Sequence, residues 1–143
     1  MDVNTYLSFD GNCAAAFKFY EKVLGGKILM MMSYGDMQGC SDMSADVKAK
    51  VAHVRMQLGD KLLMGSDSPP GQFEQPKGFN VNISVTDPGQ ADRLFAALSE
   101  NGTVTMPIQE TFWATRFGML VDQFGTPWMI NCEKTATKSA TAA

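Results

Sequence analysis

The chain has 143 residues, of which 45% are hydrophobic, and a formal net charge of -3. This length suits one well-buried domain and is too short for two ordinary ones. The 12 basic residues are scattered, which argues against nucleic acid and anionic membranes as partners. The three cysteines have no zinc-like spacing, and neither a signal peptide nor a membrane span of roughly 18 apolar residues is recognisable. A cytoplasmic protein is therefore expected.

The first half of the chain has the pattern of one strand, one helix and three further strands. Alternating apolar residues predict strands at residues 4–9, 27–34, 50–58 and 61–66, the last two joined by a tight turn. The helical segment CAAAFKFYEKVL follows Asn12, a typical N-cap residue, and stops at Gly25 and Gly26. Its buried stripe is predicted to consist of Ala16, Phe19, Tyr20 and Val23.

The second half repeats this pattern. Strands are predicted at residues 79–85, 103–110, 116–121 and 126–134. The helix begins at Asp87 and Pro88, a cap followed by proline at the first helical position, and it stops at Asn101 and Gly102. Its buried stripe is predicted to consist of Leu94, Phe95, Ala97 and Leu98.

Gly26 and Gly102 end matching helices about 76 positions apart, which indicates an internal duplication of a βαβββ unit. The predicted fold is α+β, with a single domain over residues 1–134. Module one spans about residues 4–66, a linker 67–78, and module two about 79–134. The loop at 35–49 and the linker lack regular patterns, and they suit lids or interface elements as well as plain connections. The small, polar tail at 135–143 is predicted to be disordered.

Strand alternation predicts which sheet faces are free of helices, because neighbouring residues in a strand point to opposite faces. The predicted helix-facing residues are Ala52, Val54, Met56 and Leu58 in module one, and Phe79, Val81, Ile83 and Val85 in module two. The opposite faces then carry Tyr6, His53, Arg55, Gln57, Leu62, Met64 and Ser66 in module one, and Asn80, Asn82 and Ser84 in module two. We expect a curved, mostly antiparallel trough with helices on its outer face; the alternative is an ordinary solvent-exposed sheet face.

Three segments carry a family resemblance: YLSFDGNCAAAFKFYEKVLGG, VAHVRMQLGDKLLMGSD and QETFWATRFGMLVDQFGTPWMIN. With the paired modules, they resemble the PhnB-like branch of the vicinal oxygen chelate superfamily, which includes glyoxalase I, fosfomycin-resistance transferases, extradiol dioxygenases and bleomycin-binding proteins. The resemblance implies a glyoxalase-like trough fold and a homodimer, with residues 30–34 near the expected seam. The branch also carries a demethylubiquinone methyltransferase name, but the chain has no glycine-rich loop for S-adenosylmethionine.

The resemblance also implies where a divalent metal would bind, because superfamily enzymes hold one with His and Glu or Gln on the open sheet face. The matching positions are Asn4 or Thr5, Met64, Asn80 and Met129. None of these is a histidine or a carboxylate, and a thioether is a poor ligand for such metals. No metal cofactor is therefore predicted; the alternative is one divalent ion held by His53 and Glu110 with water or substrate.

The segment around ETFW offers flat apolar surface and charge, which suits holding an anionic or planar small molecule. The predicted ligand-binding residues are Tyr6, His53, Arg55, Asn80, Asn82, Glu110, Phe112, Trp113 and Arg116. Alternatively, the aromatic residues pack between modules or across a dimer seam, and Arg116 only pairs with Glu110. An enzyme of the lyase, isomerase or transferase type is the alternative function, with His53 as the catalytic acid or base. Cys132 shares the helix-facing row of Trp128 and Ile130, and the thiols are predicted to be unreactive.

Overall fold

The protein's structure, a computed structural model, describes residues 1–37, 39 and 42–134. The chain divides into two compact units, Met1–Gln75 and Pro76–Ala143. Each unit contains a four-stranded mixed sheet and a 12-residue helix. Cys40 and the predicted disordered tail at 135–143 lie outside the described residues.

The elements of the first unit are β1 (Thr5–Phe9), α1 (Cys13–Leu24), β2 (Lys27–Ser33), α2 (Ala45–Lys48), β3 (Val51–Leu58) and β4 (Lys61–Asp67). The sheet order is β1-β4-β3-β2, with β1 parallel to β4 and the other pairs antiparallel. The four predicted strands are confirmed to within one residue at each end. The loop predicted at 35–49 is only partly irregular, because Ser44 caps α2 by accepting a 3.3 Å hydrogen bond from the Val47 amide.

The elements of the second unit are β5 (Val81–Ser84), α3 (Pro88–Ser99), β6 (Thr103–Gln109), β7 (Ala114–Val121) and β8 (Pro127–Glu133). The sheet order is β5-β8-β7-β6, with β5 parallel to β8. This is the topology of the first sheet with every strand replaced by its counterpart. The predicted α+β fold with two βαβββ modules is therefore confirmed.

The core of the first unit lies between α1 and its sheet. The buried helix residues are Cys13, Ala16, Phe17 and Tyr20. The predicted stripe is wrong at Phe19 and Val23, which are only half-buried, and it omitted Phe17. Phe17 enters the core because Gly65 leaves space beneath it: a Cβ at Gly65 would lie 2.8 Å from Cε1 of Phe17.

In the core of the second unit, a helix phenylalanine also packs over a glycine, but the glycine lies in a strand that is not the counterpart of β4. Phe95 of α3 packs over Gly118 of β7, where a Cβ would lie 2.5 Å from Cε1 of the ring. Ala91, Phe95 and Leu98 are the buried residues of α3, whereas the predicted Leu94 and Ala97 are half-buried. Phe79 was predicted in the helix-facing row, but it precedes β5 and is 45% exposed. Strand pairing with β8 begins only at Val81.

Helix ends follow the predicted signals at three of four termini. Gly25 ends α1 in the left-handed region with φ 73°, and Asn101 follows α3 with φ 58°. Asp87 caps α3 through the amides of the next residues. The prediction for Asn12 is wrong, because its side chain makes no capping hydrogen bond. The amide of Cys13 donates instead to the buried carboxylate of Asp67 at 3.0 Å.

Candidate functional site

The buried residues of β3 show which face of the first sheet α1 covers, and therefore which face is open. Val54 and Met56 are fully buried on the α1 side of β3. His53 and Arg55 therefore project from the opposite face, as predicted. Across β4, the register aligns Tyr6 with Met64 and Met64 with Arg55. Three of the predicted ligand residues are thus on one sheet face within the first unit.

Tyr6 and His53 form a hydrogen-bonded pair on this face. The Tyr6 hydroxyl lies 3.0 Å from Nδ1 of His53, and the two rings are 5.6 Å apart between centroids with an interplanar angle of 16°. We assign the phenol as the donor, so the neutral imidazole carries its hydrogen on Nε2. Among the described residues, His53 makes no other hydrogen bond or ion pair. The Nε2–H group is therefore available to a ligand.

Arg55 adds a positive charge to the same face. Its side chain is exposed, and it forms no salt bridge with the residues that the structure describes. A guanidinium presents several donors in a planar fork that matches carboxylate and phosphate oxygens. The open face of the first sheet therefore offers hydrogen-bond donors of two kinds.

The open face of the second sheet carries Asn82, whose Nδ2 donates to Oγ of Ser84 at 2.9 Å. Their neighbours Val81 and Ile83 pair with the buried Trp128 and Ile130, which places the two polar side chains on the other face, as predicted. Asn80 is exposed and lies just before β5.

Arg116 does not lie on the open face, and the prediction of its position is wrong. The register of β7 and β8 pairs it with Cys132, in the row that faces α3. Its Nε donates to Oδ1 of Asp92 on α3 at 2.7 Å. The alternative prediction, that Arg116 pairs with Glu110, is also wrong. An irregularity of the pairing between Ala114 and Arg116 sets this register, and strand patterns alone do not reveal it.

Glu110 instead pairs with Lys134, whose Nζ lies 2.9 Å from Oε2 of the carboxylate. This hydrogen bond and the charge of Lys134 lower the pKa of Glu110, and the charge of Arg116 adds a smaller effect in the same direction. His53 and Glu110 were the predicted alternative metal ligands, and they belong to different units. His53 is hydrogen-bonded to Tyr6, and Glu110 pairs with Lys134.

Phe112 and Trp113 are exposed aromatic residues just before β7. Phe112 is 87% exposed, and its ring meets that of Trp113 edge to face at 4.8 Å. Trp113 in turn contacts Phe117 at 5.2 Å. Phe117 pairs with Asn131 on the open face and was not predicted there. The pairing of Phe117 with Asn131 depends on the register of β7 and β8, which shifts between Ala114 and Arg116, so strand alternation alone did not reveal it.

The donor set at the implied metal positions does not fit a divalent ion. Two of the positions, Met64 and Met129, are thioethers. Residues 1–37, 39 and 42–134 contain no group of three or more His, Cys, Asp or Glu side chains that could hold a metal ion.

The described thiols are poor nucleophiles. Cys13 and Cys132 are both buried. Burial raises the pKa of the Cys13 thiol well above its ordinary value, and the negative charge of Asp67 raises it further. A thiol in this state reacts slowly, because the thiolate is the nucleophile.

The fold belongs to a known class. A glyoxalase, bleomycin-resistance and dioxygenase domain from Frankia sp. EAN1pec has the same fold, with a TM-score of 0.65 at 13% identity, 94% of this chain and 98% of that chain being covered. The chain is therefore an α+β protein with a glyoxalase-like fold. In the described part of the chain, no helix is long and apolar enough to cross a membrane.

Closer similarity identifies the family. The chain belongs to the family described as 3-demethylubiquinone-9 3-methyltransferase, whose sequence model matches residues 1–131. Protein YjdN from Escherichia coli (strain K12) is 34% identical over 142 residues, 94% of this chain and 97% of that protein. Protein PA1353 from Pseudomonas aeruginosa is 42% identical with a TM-score of 0.86, covering 93% and 98% of the two chains. The PhnB protein from Bacillus cereus is 22% identical with a TM-score of 0.77, covering 92% and 99%. The PhnB-like resemblance is confirmed.

Proposed function

We propose that this PhnB-like protein binds a small anionic or planar molecule on the open face of its first sheet, without the divalent metal of its catalytic relatives. The single observation that carries the proposal is the Tyr6 and His53 pair, with its 3.0 Å hydrogen bond on an otherwise open sheet face. Arg55 lies on the same face.

The chemistry of these side chains favours an oxyanion. The Nε2–H of His53 and the guanidinium of Arg55 are both donors, and Arg55 is also positive. The Tyr6 ring is 46% exposed and offers flat surface to an aromatic or otherwise planar group. The implied metal positions lack acidic ligands, so the anion itself would have to be held by these donors.

A thermal-shift screen of carboxylates, phosphates and planar aromatic acids tests this proposal, because a ligand that binds only the folded protein raises its melting temperature. We expect hits whose affinity, measured by calorimetry, falls about tenfold or more in His53→Ala and Arg55→Gln, as for other hydrogen bonds to charged groups. Arg116→Gln is the matched control, since Arg116 is engaged with Asp92 on the helix side. A hit that responds to Arg116→Gln but not to Arg55→Gln would contradict the proposal.

The variant Tyr6→Phe separates the contribution of the Tyr6 ring to ligand binding from that of its hydrogen bond to His53. This change keeps the ring and removes the hydroxyl that orients His53. If the pair acts as a unit, Tyr6→Phe weakens binding almost as much as His53→Ala. Trp113→Ala, tested with the same compounds, examines the predicted ligand residues of the second unit. Failure of every anionic and aromatic compound to stabilise the wild-type protein would refute the binding function.

An enzyme remains the second candidate, and the orientation of His53 by Tyr6 favours it. A positioned imidazole with one free nitrogen is suited to move a proton to or from a bound substrate. Metal analysis of the purified protein separates a metal-dependent enzyme from the binding function. A stoichiometric divalent ion that is lost in His53→Ala would favour the metal enzyme and overturn the metal-free proposal.

We also propose that the protein is a homodimer. Leu29 and Met30 of the edge strand β2 are 46% and 38% exposed, respectively, and such apolar side chains on an unpaired edge favour association. Light scattering tests this proposal directly, and a monomeric mass across the accessible concentration range would refute it.

A further inference from the structure

A cavity of about 300 Å³ lies in the first unit, beside the ends of β1 and β4. Its polar lining includes Asp10, Gly11, Tyr34, Asp46, Lys50 and Ser68. None of the predicted ligand residues lines this cavity, so it is separate from the site proposed above. Its volume is at the lower end of the range for small-molecule pockets, which suits a small ligand.

Three charged residues, Asp10, Asp46 and Lys50, line this cavity, and they form no salt bridge with one another. Among the residues that the structure describes, neither Asp10 nor Asp46 forms a salt bridge, and neither carboxylate accepts a hydrogen bond. The ammonium of Lys50 has one acceptor, the carbonyl oxygen of Gly11 at 3.4 Å. That bond is long and leaves most of the donor capacity of Lys50 unused. The cavity therefore holds unpaired charges of both signs.

The walls of the cavity are held in place by hydrogen bonds. The Tyr34 amide donates to the Lys50 carbonyl at 3.0 Å, and the Tyr34 hydroxyl donates to the Asp67 carbonyl at 2.7 Å. The Ser68 amide donates to the carbonyl of Phe9 at 2.8 Å. These bonds tie the ends of β1 and β4, the residue before β3 and the segment after β2 to one another, so the backbone of the cavity wall is held by its own contacts.

Gly11 lies close to the ammonium of Lys50. Its φ of +92° is in a region that other residues rarely adopt, and a Cβ would lie 3.2 Å from Nζ of Lys50. A side chain at this position would therefore push the ammonium away from the cavity wall.

We propose that this cavity binds a small zwitterion that carries an ammonium and a carboxylate, the chemical class of the free amino acids. Asp10 and Asp46 receive the ammonium, and Lys50 receives the carboxylate. A divalent cation is disfavoured by the charge of Lys50, and a polyanion is disfavoured by the two carboxylates. Only a ligand with both charges satisfies all three side chains.

Titration of the ¹⁵N-labelled protein with glycine and serine tests the proposal by NMR. We expect saturable shifts of the Gly11 and Ser68 amide signals, with a Kd on the order of 1 mM for so small a ligand. Ethanolamine lacks the carboxylate and lactate lacks the ammonium, so each is expected to bind about tenfold more weakly or not at all. Equal binding of ethanolamine and serine would overturn the assignment of a zwitterion site.

Two variants complete the test. Lys50→Gln and Asp46→Asn are each expected to weaken serine binding about tenfold. Asp46 is exposed on the short helix α2, so its variant is expected to fold even if Lys50→Gln does not. Lys61→Gln is the control, because Lys61 is exposed and pairs only loosely with Asp60 at 3.9 Å. Absence of saturable shifts up to about 10 mM, or binding unchanged in Asp46→Asn, would overturn the proposal.

Discussion

The two repeats stabilise the first turn of their main helix in different ways. At α1, Oδ1 and Oδ2 of Asp67 accept from the amides of Cys13 and Val51 at 3.0 and 2.8 Å, and Asp67 lies 54 positions from Cys13 in the chain. At α3, the carboxylate of Asp87 accepts from the amides of Gly89 and Gln90, both at 3.2 Å. One helix depends on a long-range contact and the other on its own first residues.

The difference teaches that equal topology does not imply equal energetics. Asp67 is 1% exposed, so the amides that it satisfies have no access to water if the carboxylate is lost. Asp87 is exposed, and water can replace its oxygen atoms. The first unit is therefore expected to be far more sensitive to a change of its capping carboxylate.

The largest expected effect is that of Asp67→Ala. It leaves two buried amides without acceptors, each costing about 1–3 kcal/mol, so we expect a loss of about 3 kcal/mol or more in the free energy of unfolding. Urea denaturation followed by circular dichroism measures this loss. Asp60→Ala is the matched control, since the Asp60 side chain is 89% exposed. A loss below about 1 kcal/mol would show that the two helix termini are equivalent after all.

The next largest effect is expected where each helix packs over a glycine. Alanine at Gly65 would place Cβ 2.9 Å from the carbonyl oxygen of Leu7, and at Gly118 it would lie 3.0 Å from Cα of Ile108. Because backbone atoms cannot move aside easily, each change is expected to cost about 2 kcal/mol by overpacking. Gly89→Ala is the control, because its nearest neighbour is the flexible end of Arg93 at 3.3 Å. Equal melting temperatures for all three variants would contradict the packing argument.

A smaller effect is expected for the local cap. Asp87→Ala is predicted to cost about 1 kcal/mol, the usual value for an N-cap carboxylate. Asn12→Ala is expected to cost much less, since the Asn12 side chain makes no capping bond and its buried Oδ1 has no partner in the part of the chain that the structure describes. Differential scanning calorimetry measures both. If Asn12→Ala is the more costly change, Asn12 is a cap in solution and the contrast between the repeats disappears.

The smallest effect is expected at the exposed pair of Glu110 and Lys134. Because the pKa of Glu110 is lowered in the folded protein, the pair stabilises the fold above the unfolded pKa of Glu110, and this contribution is lost as the pH falls through the lowered value. Exposed pairs contribute little, so Glu110→Gln is expected to leave the midpoint of urea unfolding nearly unchanged at pH 7. The variant and the wild type are expected to converge as the pH falls through the lowered pKa of Glu110. A difference that grows on acidification would contradict this sign.

Local signals in the sequence were sufficient for most of the fold. Helix limits at Gly25 and Asp87 depend on residues in direct sequence contact with the helix, and strand positions depend on a period of two. The repeat of these signals predicted the duplication, and the family motifs predicted the class. The open-face positions of His53 and Asn82 follow from alternation alone, so they too could be predicted.

The remaining features depended on contacts between distant residues. Strand register decides which carboxylate accepts from the Cys13 amide. The space above Gly65 decides that Phe17, and not Phe19, enters the core. An irregularity in β7 decides the partner of Arg116. The sequence by itself determined the elements and their repetition, because those depend on neighbours along the chain. Only the tertiary structure decided the buried partners, because a hydrogen bond or a packing contact requires two segments to meet at a few ångströms, and sequence spacing carries no such distance.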